Sequence, residues 1–530
     1  MPILEREKQT TKIGGGYAYY VLIVLLVVYV FNFIDRQILS ILAEEIKADM
    51  GISDAEIGFL YGTVFAVFYA VFGIPLGRLA DVWVRKSLIS IGLGFWSLMT
   101  FLSGTARRFA SLATFRIGVG VGEASASPAA FSLLSDYFPP KLRATALSIY
   151  SSGVYIGAGI GIYLGGFILD TWNGMFPQPG TAPFGLKGWH VAFFIVGLPG
   201  LLMAILVYTL REPRRGQSEG LFIASHPHPF KETWKELQSI LPVINLFNLG
   251  RMQESKKNIT MNLTVCVLII LICFLLYLWL GNIAQWTALG VGIYCAFSWS
   301  QTLSLRDPLA FNMIFRCRTI CYASIGVPLI SFVTYGVGFW ASPFFIRVHG
   351  VNAAEVGKYL GLAAAIGGWM GVTTGGIVAD KLRQYIVQAR LYVALSAALF
   401  AAPFGLSVLY TNNLTKAYIL NFCFQFFSTL WIGPAAATIN DLVLPGLRAI
   451  ASAFYILMIT FIGLALGPFT IGKISDTLAM RIDAGEALRQ AMMLSYLVLI
   501  PSVCFILLAI KNIKKDQERL SQIQSKQIQS

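Results

Sequence analysis

Four ionisable residues stand where few are tolerated. Asp35 and Arg36 sit side by side in FNFIDRQILS (31–40), near the end of an apolar run that begins at Tyr17. Arg116 and Glu123 lie in FRIGVGVGEA (115–124), inside another such run. A charge at the centre of a membrane helix costs roughly 2.5–3.5 kcal/mol on insertion scales, so such residues are paired, hydrated or functional. An apolar pocket raises a carboxylate's proton affinity, and a nearby arginine lowers it. A carboxylate whose arginine contact forms and breaks during a cycle therefore takes up and releases a proton. On this reading Asp35 and Glu123 carry protons, while Arg36 and Arg116 set their proton affinity or hold an anionic head group. The competing reading is a fixed ion-pair cluster that locks the first span to the fourth, because buried pairs also specify packing.

The elements that position these residues are legible from composition. Of 530 residues, 56% are hydrophobic and only 12% charged, and mean hydropathy is +0.68. Apolar runs of about 20 residues recur, each long enough to cross ~30 Å of hydrocarbon as a helix. Spans are expected near 17–43, 56–77, 87–106, 109–135, 143–169 and 189–210, then 260–280 and 284–304. Six more are expected near 320–346, 356–379, 391–410, 417–440, 450–472 and 490–510. The fold class is an all-α polytopic membrane protein with about 14 helices, arranged as six, two and six. The spans holding Asp35 and Arg116 run in opposite directions and bring the two to similar depth, where they could pair. Glu123 follows Arg116 by seven residues, about two turns, and shares its face nearer the midplane.

The net charge of +14 does not indicate nucleic acid, because the basic residues fall in short loops. Most Lys and Arg sort to one face: the N-terminus, the 78–86 loop, Lys141 and Arg143, the 211–257 segment, Arg306, Arg316, Arg318, Lys381, Arg383, Arg390, Arg448 and the C-terminal tail. The positive-inside rule then places both termini in the cytoplasm. The domains are a cytoplasmic N-terminus (1–16), a six-helix bundle (17–211), a cytoplasmic linker (212–259), an inserted transmembrane hairpin (260–304), a second six-helix bundle (320–510) and a cytoplasmic tail (511–530). In the linker, KETWKELQSILPVINLF spaces Trp234, Leu237, Ile240 and Leu241 as an amphipathic surface helix or belongs to a plain charged linker. The hairpin is expected to be peripheral. The seven cysteines lie in or beside apolar segments without metal-ligand spacing, so no metal site is expected.

The two halves repeat. PPKLRATALSIY (139–150) reads beside LPGLRAIASAFY (444–455), SPAAFSLLSD (127–136) beside GPAAATIND (433–441), and GRLAD (77–81) beside GGIVAD (375–380). Duplicated helical halves are the architecture of alternating-access transporters, with the site between them near the midplane.

These motifs give the chain a family resemblance. GRLADVWVRK (77–86) resembles the loop signature of the major facilitator superfamily, keeping Gly77, Asp81, Arg85 and Lys86 but carrying Val82 and Val84 where the family has Arg and Gly. RIGVGVGE and REPRR (211–215) resemble its fourth-helix and sixth-helix motifs. Within the superfamily, NFIDRQ and FRIGVGVGEA resemble the spinster-like branch, a sphingolipid and lysophospholipid transporter family. The resemblance implies a proton-coupled transporter of lysophospholipid- or sphingolipid-like amphiphiles, monomeric and without cofactor, with protons and membrane lipids as its other partners. A bacterial inner membrane is the expected location. Gly77, Asp81, Arg85, Lys86, Arg143, Asp380 and Arg448 are expected to form a conformational latch at the cytoplasmic mouth. Gly153, Gly157, Gly161 and Gly165 recur every four residues as a smooth stripe for close helix contact. Gly161–Gly166 also resembles an antiporter motif, with Ile162 in place of its Pro. His190 and His349 read as interfacial.

Other functions are weighed against this one. Transport of small organic anions or drugs is the alternative within transporters. The sequence carries no HExxH, GxSxG or phosphate-binding loop, which disfavours a membrane enzyme or an ATP-driven pump. Duplicated halves with asymmetric buried charges disfavour a channel.

Overall fold

The structure is a computed structural model that describes residues 13–178, 180–219, 227–241, 244–250, 255–444 and 447–529. The first twelve residues of the expected N-terminal segment, and parts of 212–259, lie outside the described residues. The described chain is helical, with no strand among the described residues. In hydrocarbon every backbone N–H and C=O must be satisfied within the protein, and apolar sequence meets that demand locally by forming helices.

Six helices form the first bundle: α1 (Gly16–Met50), α2 (Asp54–Val82), α3 (Arg85–Ser103), α4 (Phe109–Tyr137), α5 (Pro140–Met175) and α6 (Gly188–Thr209). Then come α7 (Pro229–Ile240) and the inserted pair, α8 (Ser255–Leu280) and α9 (Ile283–Arg306). The second bundle comprises α10 (Arg318–His349), α11 (Ala353–Arg383), α12 (Ala389–Tyr410), α13 (Leu414–Asp441), α14 (Ile450–Ala479) and α15 (Ala484–Ile523). Among the described residues, 13 helices are long and apolar enough to cross a membrane. The fourteenth expected span, α9, is 24 residues long but too polar to join them. The last helix continues to Gln529, so the tail extends it.

Pseudo-symmetry governs the packing. In the first bundle α5 lies on α1 through the expected glycine stripe: a Cβ at Gly157 would stand 2.4 Å from the Val30 carbonyl, and one at Gly161 2.9 Å from the Ile34 Cα. Gly153 meets Leu26, and Gly165 meets Ile38 and Ile41. The equivalent helices α10 and α14 meet in the second bundle at Gly336 and Gly467. Gly120 brings α4 onto the α2 backbone as Gly371 and Gly375 bring α11 onto α13. Small residues allow the close van der Waals contact that holds helices together where no hydrophobic effect operates.

The inserted pair is not simply peripheral. Its first helix is exposed to the surroundings along its length, with Val267, Ile270, Leu278 and Trp279 all outward. Its second helix buries Trp286, Cys295 and Trp299 against the bundles. The two are joined by a buried polar network: Tyr294 Oη donates to Asn262 Oδ1 at 2.5 Å, and Asn262 Nδ2 donates to Gln301 Oε1 at 2.8 Å. Helix α7 forms as the amphipathic alternative, but its apolar face is divided. Ile240 is buried in a cluster with Val71 and Trp299, while Trp234 is exposed.

Candidate functional site

The four buried charges come from two helices of the first bundle, and all are buried: Asp35 1%, Arg36 6%, Arg116 0% and Glu123 1% exposed. Arg36 Nη2 donates to Glu123 Oε2 at 2.6 Å. The expected Asp35–Arg116 pairing takes a different form. Arg116 Nη1 donates to the backbone carbonyl of Asp35 at 3.0 Å, and the charge pair runs instead from Arg36 to Glu123. Adjacent residues on a helix point about 100° apart, so Arg36 turns toward Glu123 while Asp35 turns toward Trp96 and Thr100 of α3. Asp35 Oδ1 and Glu123 Oε1 have no hydrogen-bond partner of good geometry, nor do Arg36 Nε and Arg116 Nε and Nη2.

The fourth span is broken where Glu123 stands. The Phe109–Glu123 and Ala126–Tyr137 segments meet at a turn in which Ser125 Oγ donates to the Gly122 carbonyl at 2.7 Å. Gly122 allows this turn to press on Trp96, where a Cβ would lie 2.8 Å from the Trp96 Cβ. Aromatic rings enclose the guanidinium of Arg36. Its Cζ lies 4.2 Å from the Phe65 ring centroid, 4.7 Å from Phe33 and 5.3 Å from Tyr69. Tyr335 of α10, in the second bundle, lies within electrostatic range of Arg36. Of the pair, the Arg36 side chain keeps 8% of its surface exposed and Glu123 none, so Arg36 is the more accessible member.

The expected latch residues are placed mostly within their own bundles. Arg85 is fully buried; it donates to Asp136 at 2.5 Å, Glu212 at 2.8 Å and the Pro213 carbonyl at 3.2 Å. Lys86 Nζ donates to the Tyr208 carbonyl, Arg143 to Ser218, and Arg448 to the Asn440 carbonyl. Asp380 receives Arg390 at 2.9 Å. Asp81 is exposed, and a Cβ at Gly77 would stand 4.0 Å from the Pro128 ring.

A cluster that sequence reasoning missed joins the bundles at the face away from the termini. Arg347 of α10 forks onto Glu44 of α1 at 2.6 Å and Asp54 of α2 at 2.7 Å. Lys47 also pairs with Asp54. Asp476 of α14 accepts the Asp54 and Ala55 backbone N–H groups at 2.8 Å, capping α2 from the opposite bundle. Ser40 Oγ donates to the Phe339 carbonyl at 2.7 Å, and the Ala354 N–H donates to Asp170 at 2.7 Å. The readable signal was the Ser53–Glu56 capping box, which marks the start of α2 but not its partner. His190 packs beside Trp189 near Asp49 on this face.

Residues 25–468 match the profile of the Major Facilitator Superfamily. The chain belongs to that superfamily. It is 24% identical to an MFS-type efflux pump of Mycolicibacterium smegmatis, over 91% of this chain and 90% of that protein. It is 24% identical to protein spinster homolog 1 of Mus musculus, over 90% of this chain and 77% of that protein. Among solved structures it is similar to a bacterial homolog of the human lysosomal transporter Spinster in an inward-facing, unoccupied conformation. That match has a TM-score of 0.71 and 26% identity, covering 94% of this chain and 98% of that one. This superfamily member is thus an integral membrane transporter rather than an enzyme, similar to proteins of the spinster type, and the four buried charges lie within the matched residues.

Proposed function

We propose that this superfamily member moves lysophospholipid- or sphingolipid-like amphiphiles by alternating access, coupled to protons. The observation that carries the reading is the Arg36–Glu123 pair, buried among aromatic rings, with the Asp35 carboxyl alongside lacking a full set of donors. A buried polar oxygen without a partner is costly, and a bound proton removes that cost. An amphiphile's anionic head group competes with Glu123 for Arg36, and its tail lies against the partly exposed Phe33 and Tyr69. Release of Glu123 from Arg36 then favours its protonation, which ties substrate to proton movement. The far-face ion pairs and the similarity to an inward-facing structure support a state closed away from the termini. With the termini in the cytoplasm, that state faces inward, and the exposed Asp81 gains a partner across the mouth in the opposite state, held in place by the buried Arg85.

The test is uptake of a labelled lysophospholipid into proteoliposomes, with and without an imposed pH gradient. Gradient-driven uptake that Glu123→Gln abolishes supports both substrate class and coupling. Uptake indifferent to the gradient and to the substitution sinks the proton role. Gradient-driven uptake of small organic anions, with none of lysophospholipid, would transfer the site to the alternative substrate class.

A further inference from the structure

The two bundles touch along two seams, α2 with α14 and α5 with α11. Both seams are tight toward the face away from the termini. A Cβ at Gly58 would stand 2.5 Å from the Pro468 carbonyl, and one at Gly62 2.4 Å from the Leu464 carbonyl. On the other seam, a Cβ at Gly166 would stand 2.2 Å from the Ala353 carbonyl, and one at Gly159 2.4 Å from the Gly361 carbonyl.

Both seams part toward the termini. On α11, a Cβ at Gly368 would meet Tyr155 at 2.4 Å, whereas at Gly376, about two turns on, nothing lies within 4 Å. Ser148 lies two turns from Tyr155 on the same face of α5 and is exposed. On α2, Gly62 is in tight contact with α14, whereas nothing stands within 4 Å of a Cβ at Gly73.

Only one of the two openings is filled. Helix α9 enters the gap between α2 and α14. A Cβ at Gly292 would lie 2.9 Å from Phe461 of α14 and 3.1 Å from Val67 of α2. Thr63 Oγ1 meets both Gln285 Oε1 at 2.6 Å and the Ala465 carbonyl at 2.7 Å, so helix, seam and insertion share one polar node. Trp286 stands edge-on to Phe469, 5.7 Å between centroids. Below Gly292, Cys295 and Trp299 pack with Val71, Leu457 and Ile240 in one buried cluster. Nothing comparable is inserted between α5 and α11 among the described residues.

We propose that α9 is a plug closing one of the two openings between the bundles, so that an amphiphile's tail passes between the bundle interface and the membrane only through the α5–α11 mouth. The inference rests on the amphiphile reading above. A tailed substrate needs a lateral slot because its chain leaves hydrocarbon at a cost of ~0.8 kcal/mol per CH₂ if drawn through water. A single slot also fixes from which side the head group approaches Arg36.

The test attaches a bulky maleimide at either mouth and measures uptake of a labelled lysophospholipid in proteoliposomes. Ser148→Cys places it in the α5–α11 mouth, and Val291→Cys places it on the exposed flank of α9. The parent chain, with its native cysteines, is treated in parallel. A third protein, Gly292→Trp, forces α9 away from Val67 and Phe461. The expected result is at least a tenfold loss of uptake on modifying Ser148→Cys, and no loss on modifying Val291→Cys. Combining Gly292→Trp with modified Ser148→Cys should restore part of the uptake through the unplugged seam. Full uptake by modified Ser148→Cys overturns the route while leaving the lipid reading intact. If the unmodified parent takes up no amphiphile, the lipid reading falls and the route falls with it.

Discussion

Arg36 and Glu123 form a 2.6 Å ion pair across α1 and α4, while Asp35, the immediate neighbour of Arg36, faces α3 and keeps one carboxyl oxygen without a partner. One dipeptide thus supplies both an anchored cation and an unanchored acid. Removing one member of a buried pair leaves a charge uncompensated, at a cost of roughly 3–5 kcal/mol, whereas replacing both can be neutral.

Arg36→Ala should therefore destabilise the protein more than Arg36→Ala combined with Glu123→Gln. Thermal unfolding of the two single variants and the double variant in detergent gives the coupling energy. A double variant no more stable than Arg36→Ala would show that the contact contributes nothing.

Asp35→Asn should separate binding from coupling. The amide preserves shape, so lysophospholipid binding should change by less than about threefold, under ~1 kcal/mol. The response of uptake to a pH gradient should vanish. Binding by fluorescence quenching and uptake with and without the gradient read the two effects separately; a retained gradient response would remove Asp35 from the proton path.

The far face offers a conformational prediction. Arg347→Ala leaves Glu44, Asp54 and Asp476 facing one another without the fork that joins the bundles. Like charges repel, and the closed far face should loosen. A Ser40→Cys probe beneath the cluster should react at least about tenfold faster with a membrane-impermeant thiol reagent when Arg347 is replaced, a bias of roughly 1.4 kcal/mol. Unchanged reactivity would show that the glycine contacts alone hold this face shut.

Gly157→Leu should be the most damaging change on the α1–α5 interface. Its first side-chain atom would lie 2.4 Å from the Val30 carbonyl, which belongs to a rigid helix. Overpacking typically costs about 1–3 kcal/mol. Gly174→Leu, with nothing within 4 Å, is the control. Equal melting temperatures for the two variants would contradict the packing.

Arg85→Lys tests the repeat as a structural unit. Arg85 meets Asp136 at 2.5 Å and Arg390 meets Asp441 at 2.6 Å, both pairs at matching places in the two halves. A lysine cannot reproduce the fork that reaches Glu212, Ser132 and the Pro213 carbonyl together. The variant should unfold at lower temperature than wild type, and an unchanged midpoint would mean that the fork adds no stability.

The sequence by itself determined the class, the six-two-six order and the duplication. Apolar run length and turn residues are local properties, and hydrocarbon permits few backbone solutions for them. It also determined which residues were candidates, because an arginine or a carboxylate within such a run is rare enough to stand out. The tertiary structure decided the partners. Helix rotation turns Arg36 to Glu123 and leaves Arg116 bonded to a backbone carbonyl instead of the Asp35 carboxylate. It likewise brings Arg347 onto Asp54 at a separation of 293 residues, which no local pattern encodes. The seat of α9 was settled in the same way. Its composition reads as a modestly apolar span, and only the divergence of α2 from α14 creates the gap that Gly292 and Trp299 fill.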